Sequence, residues 1–338
     1  MTPKENILAA LRRQPPSRIP IFEWFIDQSV LQALIGTTDP IDATEILDLD
    51  AVNVRPDYEK KWLDELTYLD EWGTKRKLTG DVLAAAISYP IEELANHKAY
   101  EFPRVDAPHR FKTLERAMNQ YGDRRAIVFN LRDGFSDARD LLGYQNALMG
   151  VLLDKENYTE LLKRIVEYNV AVAELAVKRF GVQIVATTDD VCTADGPLFS
   201  PKAYKDVLYP AFREVMQGYR DLGLLIIKHC DGDIRPFLDL WIDAGIHCLD
   251  PIDPGAGLDM GEMKAKYGDR ICLKGNIDCT GHLCDGTPEQ VAEEVRLCIE
   301  KGRAWEGGLI VSSSNTIHRG VKSENFKAMI EAVRRNEK

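Results

Sequence analysis

Short runs of consecutive apolar residues alternate along this chain with longer stretches whose apolar positions recur three and four apart. The short runs are Ile19–Glu23, Ala51–Val54, Ala126–Phe129, Gln183–Thr188, Leu224–Lys228, His247–Leu249, Ile271–Lys274 and Leu309–Ser312. Several are apolar throughout, the pattern of parallel strands buried on both faces. Helical spacing fills the intervals. Glu156–Arg179 places Leu161, Leu162, Ile165, Tyr168 and Leu175 near one face, and Gly181 follows as a stop. Thr287-Pro288-Glu289-Gln290 reads as a capping box with proline at the first helical position, and Thr2-Pro3-Lys4-Glu5 repeats that signal. Ser323 opens a last helix carrying Phe326, Met329 and Ile330. Ser200-Pro201 opens another, which Pro210 should kink or split.

Strands that alternate with helices in this number predict a single-domain (β/α)₈ TIM barrel over residues 1–338. A doubly wound sheet is less compatible, because no Gly-rich dinucleotide fingerprint follows the first run. Polar residues gather where the runs end: Glu23, Arg55, Asn130, Asp189 and Asp190, His229, Asp250, Asn276, and Ser312 to Asn315. A barrel sets all of these on one rim, where barrel enzymes carry their active sites. About 70 residues separate the second and third runs, far more than a βα connection needs. Within them Leu66–Leu69 and Val82–Tyr89 read as extended segments around Asp70-Glu71-Trp72-Gly73. Residues 56–107 are therefore expected to form a β-rich insertion near the barrel mouth, placed to act as a lid.

Composition narrows the function. Of 338 residues, 45% are hydrophobic and 29% charged, enough for a large core. The net charge of -11 counts against nucleic acid and anionic membrane surfaces, both of which need a basic face. No apolar stretch approaches bilayer length, and the N-terminus lacks a signal-peptide core, so a cytoplasmic location is expected. Seven cysteines without a CxxC pair read as free thiols.

The sharpest local feature is Lys228-His229-Cys230-Asp231-Gly232-Asp233, directly after a strand. In extended geometry His229 and Asp231 share one side and Cys230 points away. The pair can hold a metal ion or act as an acid–base couple, or Asp231 can simply cap the next helix. Asp189 and Asp190 cannot both face inward, so one is expected at substrate or metal while the other caps a turn. Glu23, between Phe22 and Trp24, is a carboxylate in apolar company. Arg55 and Arg132 are candidate anion clamps, or structural ion pairs. Asn130, Asn276, Ser313, Asn315 and His318 complete the expected substrate contacts. No Gly-x-Ser-x-Gly elbow surrounds the serines, which counts against a serine hydrolase. His97, His109, His247 and His282 have no comparable setting.

Taken together, Asp189-Asp190, Ser200-Pro201 with Tyr204 and Pro210, His229-x-Asp231-Gly232, Gly275-Asn276-Ile277-Asp278, and Ser312–His318 with Glu324-Asn325 resemble the uroporphyrinogen decarboxylase superfamily. The similarity runs from about Pro3 to Glu331. The resemblance implies a (β/α)₈ barrel and one of two activities. One is cofactor-free decarboxylation of a porphyrinogen, and the other is methyl transfer involving corrinoid proteins, usually with zinc. The decarboxylases share an N-terminal segment of roughly Arg-Gln-Ala-Gly-Arg, whereas Phe22-Glu23-Trp24-Phe25-Ile26-Asp27 has no arginine. The thiol-methylating members carry His-x-Cys after the fifth strand, where this chain has His229 and Asp231, and serines replace their final cysteine.

The resemblance therefore favours the branch that moves a methyl group from a methoxylated or methylated small molecule to a corrinoid protein. His229, Asp190 and Glu23 are then the expected catalytic groups. A zinc ion is expected on His229 and Asp231 with one of Glu23 or Asp190. The expected partners are a corrinoid protein and a small methyl donor, and a homodimer remains open. The alternatives are a decarboxylase acting on a porphyrinogen or other polycarboxylate, and a barrel that binds a small ligand without catalysis.

Overall fold

A computed structural model describes residues 1–80, 84–303 and 307–336. Its strands are, in chain order, β1 (Ala51–Val54), β2 (Lys60–Trp62), β3 (Thr67–Asp70), β4 (Lys75–Lys77), β5 (Ala85–Ser88), β6 (Ala126–Leu131), β7 (Ile184–Thr188), β8 (Cys192–Thr193), β9 (Gly196–Pro197), β10 (Leu225–His229), β11 (Cys248–Asp250), β12 (Cys272–Ile277) and β13 (Leu309–Ser313). Seven of them form one sheet in the order β1-β6-β7-β10-β11-β12-β13. Every pairing in it is parallel. These strands match seven of the eight expected runs to within a few residues.

The eighth run, Ile19–Glu23, departs from the expectation of a regular strand. It contributes a single parallel bridge, Ile21 to Val311. Val311 N–H donates to Pro20 O at 3.0 Å and Phe22 N–H to Val311 O at 3.3 Å. On the other side Asp50 N–H donates to Ile21 O at 2.9 Å. The run thus touches both edge strands of the sheet. Its ladder stays short for two reasons: Pro20 has no N–H to give, and the Ile21 N–H is taken by the Asp50 carboxylate at 2.8 Å rather than by a backbone carbonyl.

The helix Pro3–Leu11 opens with the expected Thr2 capping box and lies at the start of the parallel strands, where Lys4 N–H donates to Arg124 O. Its Ile7, Ala10 and Leu11 pack with Ala126, Val128, Ile184, Ala186, Ile227, Cys248, Cys272 and Ile310. That end of the sheet is thereby plugged with apolar side chains, and the polar strand ends lie at the other. The alternate strand residues face a layer of helices, in which Leu161, Leu162 and Ile165 of the helix Lys155–Phe180 are fully buried. That helix ends at Gly181 in the left-handed conformation, φ 69°. Pro210 splits its segment as expected: a π-helical turn, Tyr204–Leu208, precedes the helix Tyr209–Asp221. Among the described residues no helix is long and apolar enough to cross a membrane.

Between β1 and β6, strands β2, β3, β4 and β5 make an antiparallel sheet. Val82 and Leu83, at the start of the expected Val82–Tyr89 segment, lie outside the described residues. This sheet is tied to the helix Phe135–Leu142 through Arg76, which reaches Asp140 at 2.7 Å, and through Thr74 Oγ1, which donates to Asp140 O.

Asp50 is the joint of the molecule. Its side chain is fully buried and accepts from Arg18 at 2.8 Å, Arg334 at 2.8 Å and Ile21 N–H. It therefore links the first run, the start of β1 and the last helix, Ser323–Arg335. Removing one partner of a buried charge cluster leaves the others uncompensated, a loss of about 3 kcal/mol. Asp50→Ala is expected to lower the unfolding free energy by that amount in urea titrations. A loss below about 1 kcal/mol, the scale of an exposed ion pair, would contradict this role.

Candidate functional site

β10 ends in an alternation that sends adjacent residues to opposite faces. Lys228 points toward the helices. Its Nζ lies 2.9 Å from Asp133 Oδ2 and also donates to the carbonyls of Asp189 and His229. His229 points the other way, stacked on Trp24 with ring centroids 4.6 Å apart and planes 8° from parallel. The stack fixes the plane of the imidazole. Strand pairing fixes its rotation, because His229 stands in register with Asp250 on β11, and His229 Nδ1 meets Asp250 Oδ2 at 2.7 Å.

Asp250 is itself held by a second buried lysine. Lys274 Nζ, from β12, lies 2.6 Å from Asp250 Oδ1, and both side chains are buried. Burial opposes the Asp250 charge, but Lys274 and His229 outweigh it and hold the carboxyl below its usual range. Burial likewise disfavours a charged imidazole, while Asp231 and Asp250 more than compensate and raise the His229 pKa. With Nδ1 committed to Asp250, the His229 Nε2 is the free nitrogen, and it lies 3.5 Å from Asp231 Oδ1.

Asp190 completes a group. One ligand atom each from Asp190, His229 and Asp231 lie within 4.8 Å of one another. Asp190 Oδ1 and Asp231 Oδ1 are buried and make no hydrogen bond. Asp231 Oδ2 accepts from Asn315 Nδ2 at 2.7 Å. Burial, with Asp190 close by, pushes the Asp231 carboxyl up to about 6 against the pull of His229. Its neighbour Asp189 has the other fate. It turns away and accepts from the Phe135 and Ser136 N–H groups at 2.5 and 2.7 Å, capping the helix Phe135–Leu142.

The remaining residues singled out from sequence fall around this group. Glu23 lies outside the three. Its Oε1 accepts from Ser313 N–H at 2.9 Å and its Oε2 from Ser313 Oγ at 2.6 Å. Burial raises its pKa to about 7, against the lowering effects of Lys274 and Ser313. His318 sits against the Cys279 carbonyl at 2.9 Å. Asn276 is half-buried on β12, paired with Ser312 on β13. Asn130 accepts from Thr188 Oγ1 at 3.3 Å and lines a cavity of about 250 Å³ together with Arg55 and Arg132. Arg132 is spent in ion pairs to Asp137 at 3.2 Å and Asp140 at 2.9 Å, whereas Arg55 lies over the Phe25 ring at 4.6 Å.

Three residues that shape the site, Lys228, Asp250 and Lys274, were given no role from sequence, although Asp250 stood among the polar strand ends and Lys228 in the motif around His229. Two of them carry a signal. A lysine closing an apolar run such as Leu224–Ile227 or Ile271–Leu273 must be buried, and a buried ammonium requires a carboxylate.

Comparison with known proteins gives a family-level match. The model of the family described as uroporphyrinogen decarboxylase (URO-D) matches residues 62–336. The methylated-thiol–coenzyme M methyltransferase of Methanosarcina mazei is 23% identical over 221 residues, 65% of this chain and 56% of that protein. The chain thus spans little more than half of that relative. The methylcobamide:CoM methyltransferase MtaA of Methanosarcina barkeri is 24% identical over 98% of this chain and 97% of its own. Among solved structures, a methyltransferase from Methanosarcina mazei superposes with a TM-score of 0.76 at 18% identity, covering 99% of both chains. At that identity the likeness is one of fold.

The Asp250 contact makes a spectroscopic prediction. At alkaline pH the neutral His229 ring should carry its proton on Nδ1, and long-range ¹H–¹⁵N spectra should show that tautomer. Asp250→Ala should give a mixture of tautomers. A wild-type ring protonated on Nε2 would contradict the arrangement.

Proposed function

We propose that this chain, which belongs to the uroporphyrinogen decarboxylase family, is a methyltransferase that moves a methyl group from a methylated or methoxylated small molecule to the cobalt of a corrinoid protein. The observation that carries the reading is the group Asp190, His229 and Asp231, with two carboxylate oxygens buried and unpartnered. Buried acceptors of this kind are costly unless a cation or proton meets them. The full-length similarity to MtaA, a methylcobamide:CoM methyltransferase, supports methyl transfer linked to a corrinoid.

The donor set fits a divalent ion such as zinc: one imidazole nitrogen and two carboxylates, with a carboxylate behind the imidazole to fix its tautomer. Such an ion would supply Lewis acidity to the heteroatom from which the methyl group departs. The set lacks thiolates and is therefore harder than a cysteine site, which suits an oxygen leaving group better than a sulfur one.

The chain's own residues do the rest. Trp24 and Asp250 hold the His229 ring in one orientation. Lys274 keeps Asp250 ionised, so that His229 Nε2 stays directed toward Asp231. Asn315 pins one oxygen of Asp231 and leaves the other facing the group. Glu23, raised to about 7, can hold a proton near neutrality beside Ser313. We assign the architecture to a single closed (β/α)₈ barrel, with residues 56–107 as an insertion at its mouth, and the enzyme to the cytoplasm.

Purified without chelator, the protein is expected to contain about one divalent ion per chain by elemental analysis. His229→Ala and Asp190→Ala should lose it while keeping the wild-type fold by circular dichroism. Methyl transfer to a corrinoid protein should stop after dialysis against a chelator and return with zinc. A wild-type enzyme that transfers methyl groups at full rate when metal-free would overturn the metal assignment. CO₂ release from uroporphyrinogen without methyl transfer would overturn the reaction.

A further inference from the structure

The cavity of about 250 Å³ is walled on one side by the antiparallel sheet, through Tyr68 and Arg76, and on the other by the strand ends, through Arg55, Asn130 and Arg132. Three arginines line it, yet they differ in what they have to offer. Arg76 is neutralised by Asp70 at 2.6 Å and Asp140 at 2.7 Å. Arg132 is neutralised by Asp137 and the same Asp140. Among the described residues Arg55 makes no ion pair and no hydrogen bond, and its guanidinium rests on the Phe25 ring. A second unused donor belongs to a residue that lines the same space: Asn130 Nδ2 is buried without a partner.

Arg55 is half-buried, and a guanidinium partly withdrawn from water with no counter-charge in contact carries a cost that favours an anion joining it. The surroundings show this cost. Desolvation and then the neighbouring Arg132 push Arg55 down to about 10. The fork of an arginine matches a planar carboxylate, and the walls of Tyr58, Tyr68 and Trp72 suit a flat or apolar body. The cavity is linked to the candidate metal group through two consecutive aromatic residues. Phe25, which carries Arg55, is the chain neighbour of Trp24, which carries His229, with the two aromatic rings 6.2 Å apart.

We infer that Arg55, with Asn130, binds the carboxylate of a small organic acid in this cavity, and that the methyl donor of the proposed reaction is such an acid. The second half rests on the reading given under Proposed function, and the first does not. Arg132 and Arg76 shape the cavity and do not bind the ligand, because Asp140, Asp137 and Asp70 already occupy them.

The test uses three acids, each with its neutral amide: acetate and acetamide, benzoate and benzamide, 4-methoxybenzoate and 4-methoxybenzamide. Affinities are measured by calorimetry on the full chain. At least one acid is expected to bind, and its amide to bind at least about tenfold more weakly, the scale of one charge-assisted contact. Arg55→Gln should weaken the acid by a similar factor and leave the amide unchanged, while Arg55→Lys should recover part of the loss. Metal content and melting temperature should be the same in Arg55→Gln and wild type. His229→Ala should leave acid binding within about twofold, since the histidine is not part of the carboxylate site. Equal binding of acid and amide, unchanged affinity in Arg55→Gln, or no binding of any acid would overturn the inference. Failure of methyl transfer with acid binding intact would overturn the proposed reaction and leave the carboxylate site standing. Methyl transfer from a neutral donor as fast as from its acid would overturn the assignment of the donor alone.

Discussion

A lysine buried inside an apolar strand is the constraint on which this site rests. Lys274 has no water to solvate it, so it must have Asp250. Asp250, held ionised by that contact, in turn takes Nδ1 of His229. Each link uses a different strand, β12, β11 and β10, and these strands are neighbours in the sheet. The imidazole is therefore positioned by the register of three parallel strands rather than by a loop. Lys228 repeats the device on the opposite face, where it anchors Asp133 and the backbone of Asp189. The turn after β7 is thereby fixed from outside, which sets where Asp190 stands.

The parallel architecture was legible because it is written in local periodicity. Uninterrupted apolar runs and capped helical segments survive whatever the tertiary contacts do, and seven runs became strands of one sheet. The exception, Ile19–Glu23, fails as a strand through something no local pattern holds. A carboxylate about thirty positions away, Asp50, captures the Ile21 N–H. The division of labour between Asp189 and Asp190 was foreseeable in kind from chain geometry, though not which residue would do which. Only the approach of the helix Phe135–Leu142, with its open N-terminal N–H groups, decides that Asp189 turns outward.

The arginines show the limit of sequence reading more sharply. Arg55 and Arg132 looked alike, each closing a strand with no partner in view. What separates them is Asp140, eight residues beyond Arg132 in the chain and shared with Arg76 from the antiparallel sheet. The pairing depends on how that sheet folds back over the strand ends, a contact between segments more than sixty residues apart. Glu23 is a similar case. Its aromatic neighbours were visible, but Ser313, which takes up both of its oxygens, comes from the far end of the chain.

Trp24 and Phe25 are consecutive residues, and their rings carry His229 and Arg55 respectively. The stacking partner of the imidazole and the seat of the guanidinium thus belong to one short segment. A change that displaces this segment would disturb both contacts at once, so the two positions are coupled mechanically even though their own side chains come from the ends of different strands.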